Sequence, residues 1–211
     1  MTGLVRRATL ITAAGLLAAT AAMAGVPSAT TSSQPSGLFM KVLGQSAGSQ
    51  DPASNFSYTI RDASNNPVPG SVVILNFASC TDVRVCSSPQ PTGTANCGAK
   101  TVSGVTNASG QVTFGIVGAS SVGAATFGSC AHVTADGVPM SNLHVATGDY
   151  DAVNGINPLD VSATFGDVNA GTNRARSDFD NNGIVNPLDV SAVFGLANAG
   201  GSPASCTTLC P

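Results

Sequence analysis

The sequence predicts a mainly β protein in which a β-sandwich is followed by a small α-helical unit. Short runs of alternating apolar and polar residues, separated by turn-forming residues, occupy positions 38–147. After them, a 15-residue segment that begins at Asn157 recurs 29 residues later from Asn186, with twelve identical positions. Each copy opens with Asn-Pro before an apolar run, which is typical of a helix start. A β-rich domain and a duplicated loop–helix unit are therefore expected.

The first 37 residues are predicted to precede the folded domains. Arg6 and Arg7 form a basic region, an alanine-rich apolar stretch follows to about residue 21, and Ala22-Met23-Ala24 resembles a cleavage site. Residues 1–24 are therefore predicted to be a secretory signal peptide, and residues 25–37 a linker rich in Ser, Thr and Pro. We expect a secreted, extracellular protein without a membrane span in the mature chain.

Residues 38–147 are predicted to form the β-sandwich. Turn residues at 65–70, 107–110 and 136–137 separate short runs rich in β-branched side chains. Antiparallel strands at this spacing are typical of a sandwich. Seven strands are predicted, at 38–42, 56–61, 71–77, 100–105, 111–116, 130–135 and 139–145.

Two stretches of this domain resemble a known family. They read Asp62-Ala-Ser-Asn-Asn-Pro-Val-Pro-Gly-Ser-Val-Val73 and Val105-Thr-Asn-Ala-Ser-Gly-Gln-Val-Thr-Phe114. Both are similar to bacterial immunoglobulin-like domains of the invasin and intimin type, in which a Pro-Val-Pro-Gly turn and a later Gly-containing turn border strands. The resemblance implies an immunoglobulin-like β-sandwich that acts as a spacer or an adhesive module.

The six cysteines all follow the predicted signal peptide, and this even number favours disulfides in an exported chain. Cys206 and Cys210 are close enough in sequence to pair in the tail, residues 201–211. The other four can join in three ways, of which we favour Cys80–Cys86 with Cys97–Cys130. No C-x-x-C spacing indicates zinc.

The duplicated unit, residues 148–200, carries cation-binding patterns. The second copy reads Asp178-Phe-Asp180-Asn-Asn182-Gly183-Ile184-Val-Asn186-Pro-Leu-Asp189. Oxygen-bearing side chains stand at positions 1, 3, 5 and 12, and glycine stands at position 6. A tightly wound loop brings such side chains to one centre, and Ca²⁺ prefers these oxygen donors. The second copy is therefore predicted to be a calcium loop similar to that of an EF-hand.

No helical pattern enters either loop, whereas a short helix is expected to leave each one. Val190, Phe194 and Ala197 are expected to share the apolar face of the second helix. In the first helix, the corresponding residues are Val161, Phe165 and Val168. Because one such unit cannot bury its apolar face alone, the two are expected to pack against each other.

A tandem of loop–helix calcium units resembles the type I dockerin module of secreted bacterial proteins, which also has aspartate at loop position 12. The resemblance covers residues 148–200. It implies that the second loop binds calcium through Asp178, Asp180, Asn182, the Ile184 carbonyl and Asp189, with Asn186 acting through water.

The first copy departs from this pattern. Asp149, Asp151 and Asp160 keep positions 1, 3 and 12, while Gly155 and Asn157 keep positions 7 and 9. Position 5 is Val153, which has no donor, and position 6 is Asn154. Either Asn154 supplies the missing oxygen, or the loop binds calcium weakly, or the first copy is a metal-free unit kept for packing.

The resemblance also bears on partners. Dockerins bind cohesin domains through hydroxyl residues at loop positions 10 and 11. They are usually attached to polysaccharide-degrading enzymes, so the resemblance implies a link to polysaccharide degradation. Here those positions hold Pro158-Leu159 and Pro187-Leu188. We therefore expect a cohesin-like or other extracellular protein partner that meets an atypical surface.

The charge pattern disfavours other functions. All eleven acidic residues are aspartates, and seven of them lie between Asp149 and Asp189. Without the signal peptide the net charge is near −5, because six basic residues remain against eleven acidic ones. This balance argues against nucleic-acid binding.

No catalytic residues are predicted. The segment Gly44-Gln-Ser46-Ala-Gly48 matches a nucleophile-elbow pattern but lacks a following helix. The two histidines, His132 and His144, lack a third metal ligand.

We expect a non-catalytic docking protein. The alternatives are a structural or adhesive surface protein with a calcium-rigidified C-terminal unit, and an accessory carbohydrate-binding protein, which two tyrosines and no tryptophan disfavour.

Overall fold

The fold is mainly β in a computed structural model, which describes residues 25–42, 45–46, 49–50, 55–87, 90–120, 129–152, 155–171, 177–198 and 208–210. Over these ranges the chain forms thirteen short strands, one 3₁₀ turn at Ser36–Leu38 and two α-helices. Neither of these helices has the length and apolar character needed to cross a membrane. The predicted signal peptide lies outside the described residues.

The largest sheet has five antiparallel strands in the order β12-β11-β5-β8-β7. Its central strand, β5, pairs Leu75 with Val102 of β8 on one side and with Val133 of β11 on the other. The bounds of these strands are β5 Val72–Asn76, β7 Thr94–Asn96, β8 Thr101–Val105, β11 His132–Ala135 and β12 Val138–Pro139.

Four further sheets have two strands each. Strand β4 pairs antiparallel with β9, β6 with β10, and β2 with β3, whereas β1 runs parallel to β13. Their bounds are β1 Phe39–Val42, β2 Gln45–Ser46, β3 Ser49–Gln50, β4 Asn55–Thr59, β6 Val83–Val85, β9 Gln111–Gly115, β10 Gly118–Ser120 and β13 His144–Thr147.

One hydrophobic core joins the five-stranded sheet to the β4–β9 pair. Tyr58 and Phe114 from the pair are fully buried with Leu75, Val102 and Val133 of the larger sheet. The rings of Tyr58 and Phe114 meet edge to face with centroids 6.3 Å apart. In β5, β9 and β11 burial alternates along the strand, as a half-buried strand requires. The alternating sequence pattern therefore reflects the real core.

Six of the seven predicted strands occur within one or two residues of their expected ends. The exception is residues 139–145, which divide between β12 and β13. The pattern also missed β2, β3, β6, β7 and β10, each only two or three residues long. Such short segments carry too few residues for an alternating pattern to be visible.

The predicted disulfide pairing is wrong. Cys80 pairs with Cys130, because these residues lie just beyond the paired ends of β5 and β11, with their Cα atoms 5.0 Å apart. Cys97 pairs with Cys210 rather than with Cys130, and Cys210 does not pair with Cys206. Cys86 is disulfide-bonded too, although not to Cys80, and Cys206 lies outside the described residues.

The position of the C-terminal tail explains the Cys97–Cys210 disulfide. Thr208 and Cys210 run beside the end of β6, where Ser87 donates its N–H to the Thr208 carbonyl and Cys210 donates to Val85. This pairing carries Cys210 to Cys97, with Cα atoms 4.7 Å apart. Because disulfides persist in oxidising compartments, the two bridges indicate an oxidising setting.

Two short helices, α1 Pro158–Asn169 and α2 Pro187–Asn198, pack against each other as expected. Asn157 caps α1 by accepting the Leu159 N–H, and Pro158 follows at the first helical position. A second, smaller core contains Ala146, Ile156, Phe179 and Val193.

The predicted apolar faces are only partly correct. Val161 and Ala197 pack on the second core, but Phe165 and Phe194 are more than half exposed. Helix α1 instead buries a polar stripe of Asp160, Thr164 and Asp167, at helical spacing. This stripe is turned inward because Asp160 belongs to the first loop and Asp167 accepts a hydrogen bond from Ser177, so Phe165 is turned outward.

Candidate metal centre

Each loop brings three aspartates together. Within each group, one carboxylate oxygen per residue lies within 4.8 Å of those of the other two. The groups are Asp149, Asp151 and Asp160 in the first loop, and Asp178, Asp180 and Asp189 in the second. These are positions 1, 3 and 12 of the two predicted loops. The structure therefore assembles the carboxylates that the spacing predicted.

The aspartate at position 12 closes each loop in the same way. In the second loop, Asp189 accepts the N–H groups of Phe179 at 2.7 Å and Asn186 at 2.9 Å, one on each oxygen. Asp160 does the same in the first loop, with Tyr150 at 2.6 Å and Asn157 at 2.8 Å. The carboxylate thus ties the beginning of the loop to the helix cap and is held rigidly.

The aspartate at position 1 of the second loop is also held by the backbone. Asp178 accepts N–H groups from Asn182 at 3.1 Å and from Gly183 at 2.9 Å. Gly183 makes the sharp turn at position 6 with a φ of 85°. Side chains other than glycine seldom adopt this conformation, which explains the glycine at this position.

The remaining predicted ligands of the second loop lie around the triad. The Asn182 side chain accepts the Ile184 N–H and donates to Asp180 at 2.8 Å. The Ile184 carbonyl accepts the Asn186 amide at 3.3 Å, while the Asn186 oxygen caps α2 at Leu188. Asn186 is therefore a helix cap, as the Asn-Pro pattern indicated.

The first loop shows the same arrangement on the residues that are described. The Gly155 carbonyl accepts the Asn157 amide at 2.9 Å, as Ile184 does with Asn186. Ala152 donates its N–H to Asp149 at 2.8 Å. Val153 and Asn154 lie outside the described residues, so the possible role of Asn154 as a donor stays a prediction.

Burial makes these carboxylates unusual. Asp149, Asp160, Asp178 and Asp189 are each at most 6% exposed. Desolvation raises the pKa of Asp178 and of Asp160 above the ordinary value, although backbone N–H groups partly oppose it. The only basic residues between positions 148 and 200 are Arg174 and Arg176, which lie outside the described residues.

A buried carboxylate cluster needs a compensating positive charge or a proton. Oxygen-only donors from carboxylates, a side-chain amide and a backbone carbonyl are the set that Ca²⁺ prefers, and softer metals favour nitrogen or sulfur. Neither histidine belongs to these groups of carboxylates: His132 contacts Asn142 and Ser79, and His144 contacts Asn181 at the edge of the second loop. The donor chemistry of both loops therefore fits a hard divalent cation.

A buried hydrogen-bond chain connects the two loops, and the sequence did not reveal it. The Tyr150 hydroxyl donates to Ser177 at 2.7 Å, and Ser177 donates to Asp167 at 2.6 Å. Tyr150 is position 2 of the first loop, and Ser177 directly precedes the second. The hint in the sequence is a single tyrosine at position 2, where the second loop has Phe179.

Comparison with known proteins adds no relative to this description. Neither a protein-family model nor a curated protein nor a solved structure matches the chain.

Proposed function

We propose that the protein is a secreted, non-catalytic calcium-binding protein whose dockerin-like C-terminal module mediates extracellular docking. The module comprises both loops with α1 and α2, residues 148–200. The pair of carboxylate triads carries the proposal, because each of the two loops places three carboxylate oxygens within 4.8 Å of one another, and two of the three aspartates in each loop are buried.

Calcium would be held by the chain's own oxygens in each loop. Asp178, Asp180 and Asp189 supply the carboxylates of the second loop, with Asn182 and the Ile184 carbonyl beside them. Asp149, Asp151 and Asp160 supply those of the first. Bound calcium neutralises the repulsion of the buried charges and thereby fixes the positions of both helices.

The surface that the helices present fits docking to another protein. Leu159 and Leu188 are 68% and 66% exposed, and Phe165 and Phe194 are 54% and 56% exposed. Both copies therefore direct the same two apolar side chains to solvent. Neither helix has an exposed charged residue, because the aspartates of both helices are buried. This favours a partner protein with an apolar surface.

We propose that the β-rich domain is an immunoglobulin-like sandwich. It would then act as a spacer or present the C-terminal module. Neither tyrosine can stack on a sugar, because Tyr58 and Tyr150 are both buried.

The test is calcium-dependent binding by the intact protein. Purified cohesin domains and the host's own secreted proteins would be captured with calcium and with EDTA. We expect capture in calcium only, and at least tenfold weaker capture by Leu188→Ser/Phe194→Ser. Val105→Ser is the matched control, since Val105 is 62% exposed in the β-rich domain. Equal capture by the double variant, or in EDTA, would contradict the proposal.

A structural role is the second candidate. Ala146 of β13 belongs to the core of the C-terminal module, so this module is packed on the β-rich domain. Calcium would then rigidify the molecule without recruiting a partner. Full calcium binding together with no calcium-dependent capture would favour this candidate.

A further inference from the structure

The two-stranded sheet β1–β13 lies between the two hydrophobic cores and contributes residues to both. Val145 of β13 is buried in the main core, whereas its neighbour Ala146 is buried in the core of the C-terminal module. Successive residues of a strand point to opposite faces, so one strand can serve two cores. On β1, the Lys41 ammonium lies 5.6 Å from the ring centre of Phe179 in the second loop.

Asn181 connects the second loop to the β1–β13 sheet. Its side-chain oxygen lies 2.6 Å from Nδ1 of His144 in β13. Its amide donates to the Gly37 carbonyl, just before β1, at 3.1 Å. One side chain thus bridges three segments that are distant in sequence. Gly37 also leaves the necessary space, because a Cβ there would lie 3.0 Å from the Asn181 amide nitrogen.

The position of Asn181 within the loop connects this bridge to the cation. Asn181 is position 4, between Asp180 and Asn182, and has a φ of 58°. Ala152 occupies the same position of the first loop with a φ of 61° and has no polar side chain. The backbone conformation therefore does not require asparagine. The bridge to His144 and Gly37 gives the asparagine a separate role.

We propose that the second loop acts as a calcium-dependent latch: when calcium is bound, Asn181 holds the C-terminal module against the β1–β13 sheet through its contacts with His144 and Gly37. This inference rests on the proposed calcium binding. When calcium holds the loop, Asn181 is fixed where it meets His144 and Gly37. Without calcium, repulsion among Asp178, Asp180 and Asp189 opens the loop and displaces Asn181. By linkage, the latch must in turn strengthen calcium binding to the same loop.

The direct test compares the intact wild-type protein with Asn181→Ala, since Ala152 shows that alanine is accommodated at this backbone conformation. Calcium titration should show about five- to tenfold weaker binding at the second loop, which is the lower part of the usual range for coupled sites. Asn65→Ala is the matched control, because Asn65 has a φ of 67° in a turn of the β-rich domain. It should leave calcium affinity unchanged.

Amide exchange gives a readout independent of affinity. Calcium should slow exchange in β1 and β13 of the wild-type protein, and should slow it less in Asn181→Ala. His144→Ala should weaken calcium binding as Asn181→Ala does, and the double variant should be no weaker than either single variant.

The outcomes separate the latch from the calcium proposal. If the wild-type protein binds no calcium, the proposed function fails. If it binds calcium but exchange in β1 and β13 is the same in EDTA, the latch alone is wrong. Wild-type affinity in Asn181→Ala, or additive effects of the Asn181 and His144 substitutions, would overturn the latch as well.

Discussion

Asp178 and Asp149 occupy the first position of their loops, and both are almost fully buried. What distinguishes them is the rest of the loop. The second loop has Asn182 at position 5, whereas the first has Val153. Calcium takes six to eight oxygens, so a missing side-chain donor must be replaced by water and weakens the site.

We therefore predict that Asp178→Ala removes most of the high-affinity calcium binding and that Asp149→Ala removes little. Calorimetric titration of both single variants at one ionic strength measures this. A larger loss in Asp149→Ala would mean that the first loop is the stronger site, with Asn154 as the donor.

Tyr150 offers a second prediction at the level of one residue. Its hydroxyl donates to the buried Ser177, so Tyr150→Phe should destabilise the protein by about 1 kcal/mol. Tyr58→Phe is the matched control, because the buried Tyr58 hydroxyl has no hydrogen-bond partner among the residues that the structure describes. That change should be neutral or slightly stabilising. Chemical denaturation in calcium compares the two, and equal losses would contradict the role of the Tyr150 chain.

The two helices show what the sequence could predict about an element. Their starts were predictable, because Asn157 and Asn186 cap them and proline follows each cap. The outward orientation of Phe165 and Phe194 was not. An apolar periodicity cannot reveal that Asp160 and Asp167 must face inward to meet Tyr150 and Ser177. The orientation of α1 is thus set by buried polar groups.

The cap of α2 can be tested at saturating calcium, so that a weaker calcium affinity does not add to the loss of the cap. Asn186→Ala removes the oxygen that accepts the Leu188 N–H, and loss of such a cap costs about 1 kcal/mol. We expect this loss in the free energy of unfolding at saturating calcium. Ser191→Ala, on the exposed face of the same helix, should change stability much less. Similar effects of both substitutions would mean that the cap contributes nothing specific.

At the level of the whole molecule, the C-terminal module is held at both ends by the β-rich domain. It begins directly after β13, and the tail beyond it returns to β6 and to Cys97. The sequence did not predict this return. Cys206 and Cys210 are close in sequence, but pairing in space depends on long-range register, which local spacing does not encode.

Removing the Cys97–Cys210 disulfide should lower the stability of the whole molecule. Cys97→Ser/Cys210→Ser opens a link between residues 113 positions apart. Such a bridge typically contributes about 2–4 kcal/mol, mainly by restricting the unfolded chain. Thermal unfolding in calcium should therefore begin at a distinctly lower temperature. An unchanged transition would show that calcium and the β13 contact suffice to hold the module.

Amide exchange of the intact protein measures directly whether calcium organises residues 148–200. The helices are short, and the buried carboxylates repel one another without a cation. We predict weak protection of α1 and α2 in EDTA and strong protection after calcium is added, while β5 and β8 stay protected throughout. Equal protection of the helices in both conditions would show that they are ordered without calcium.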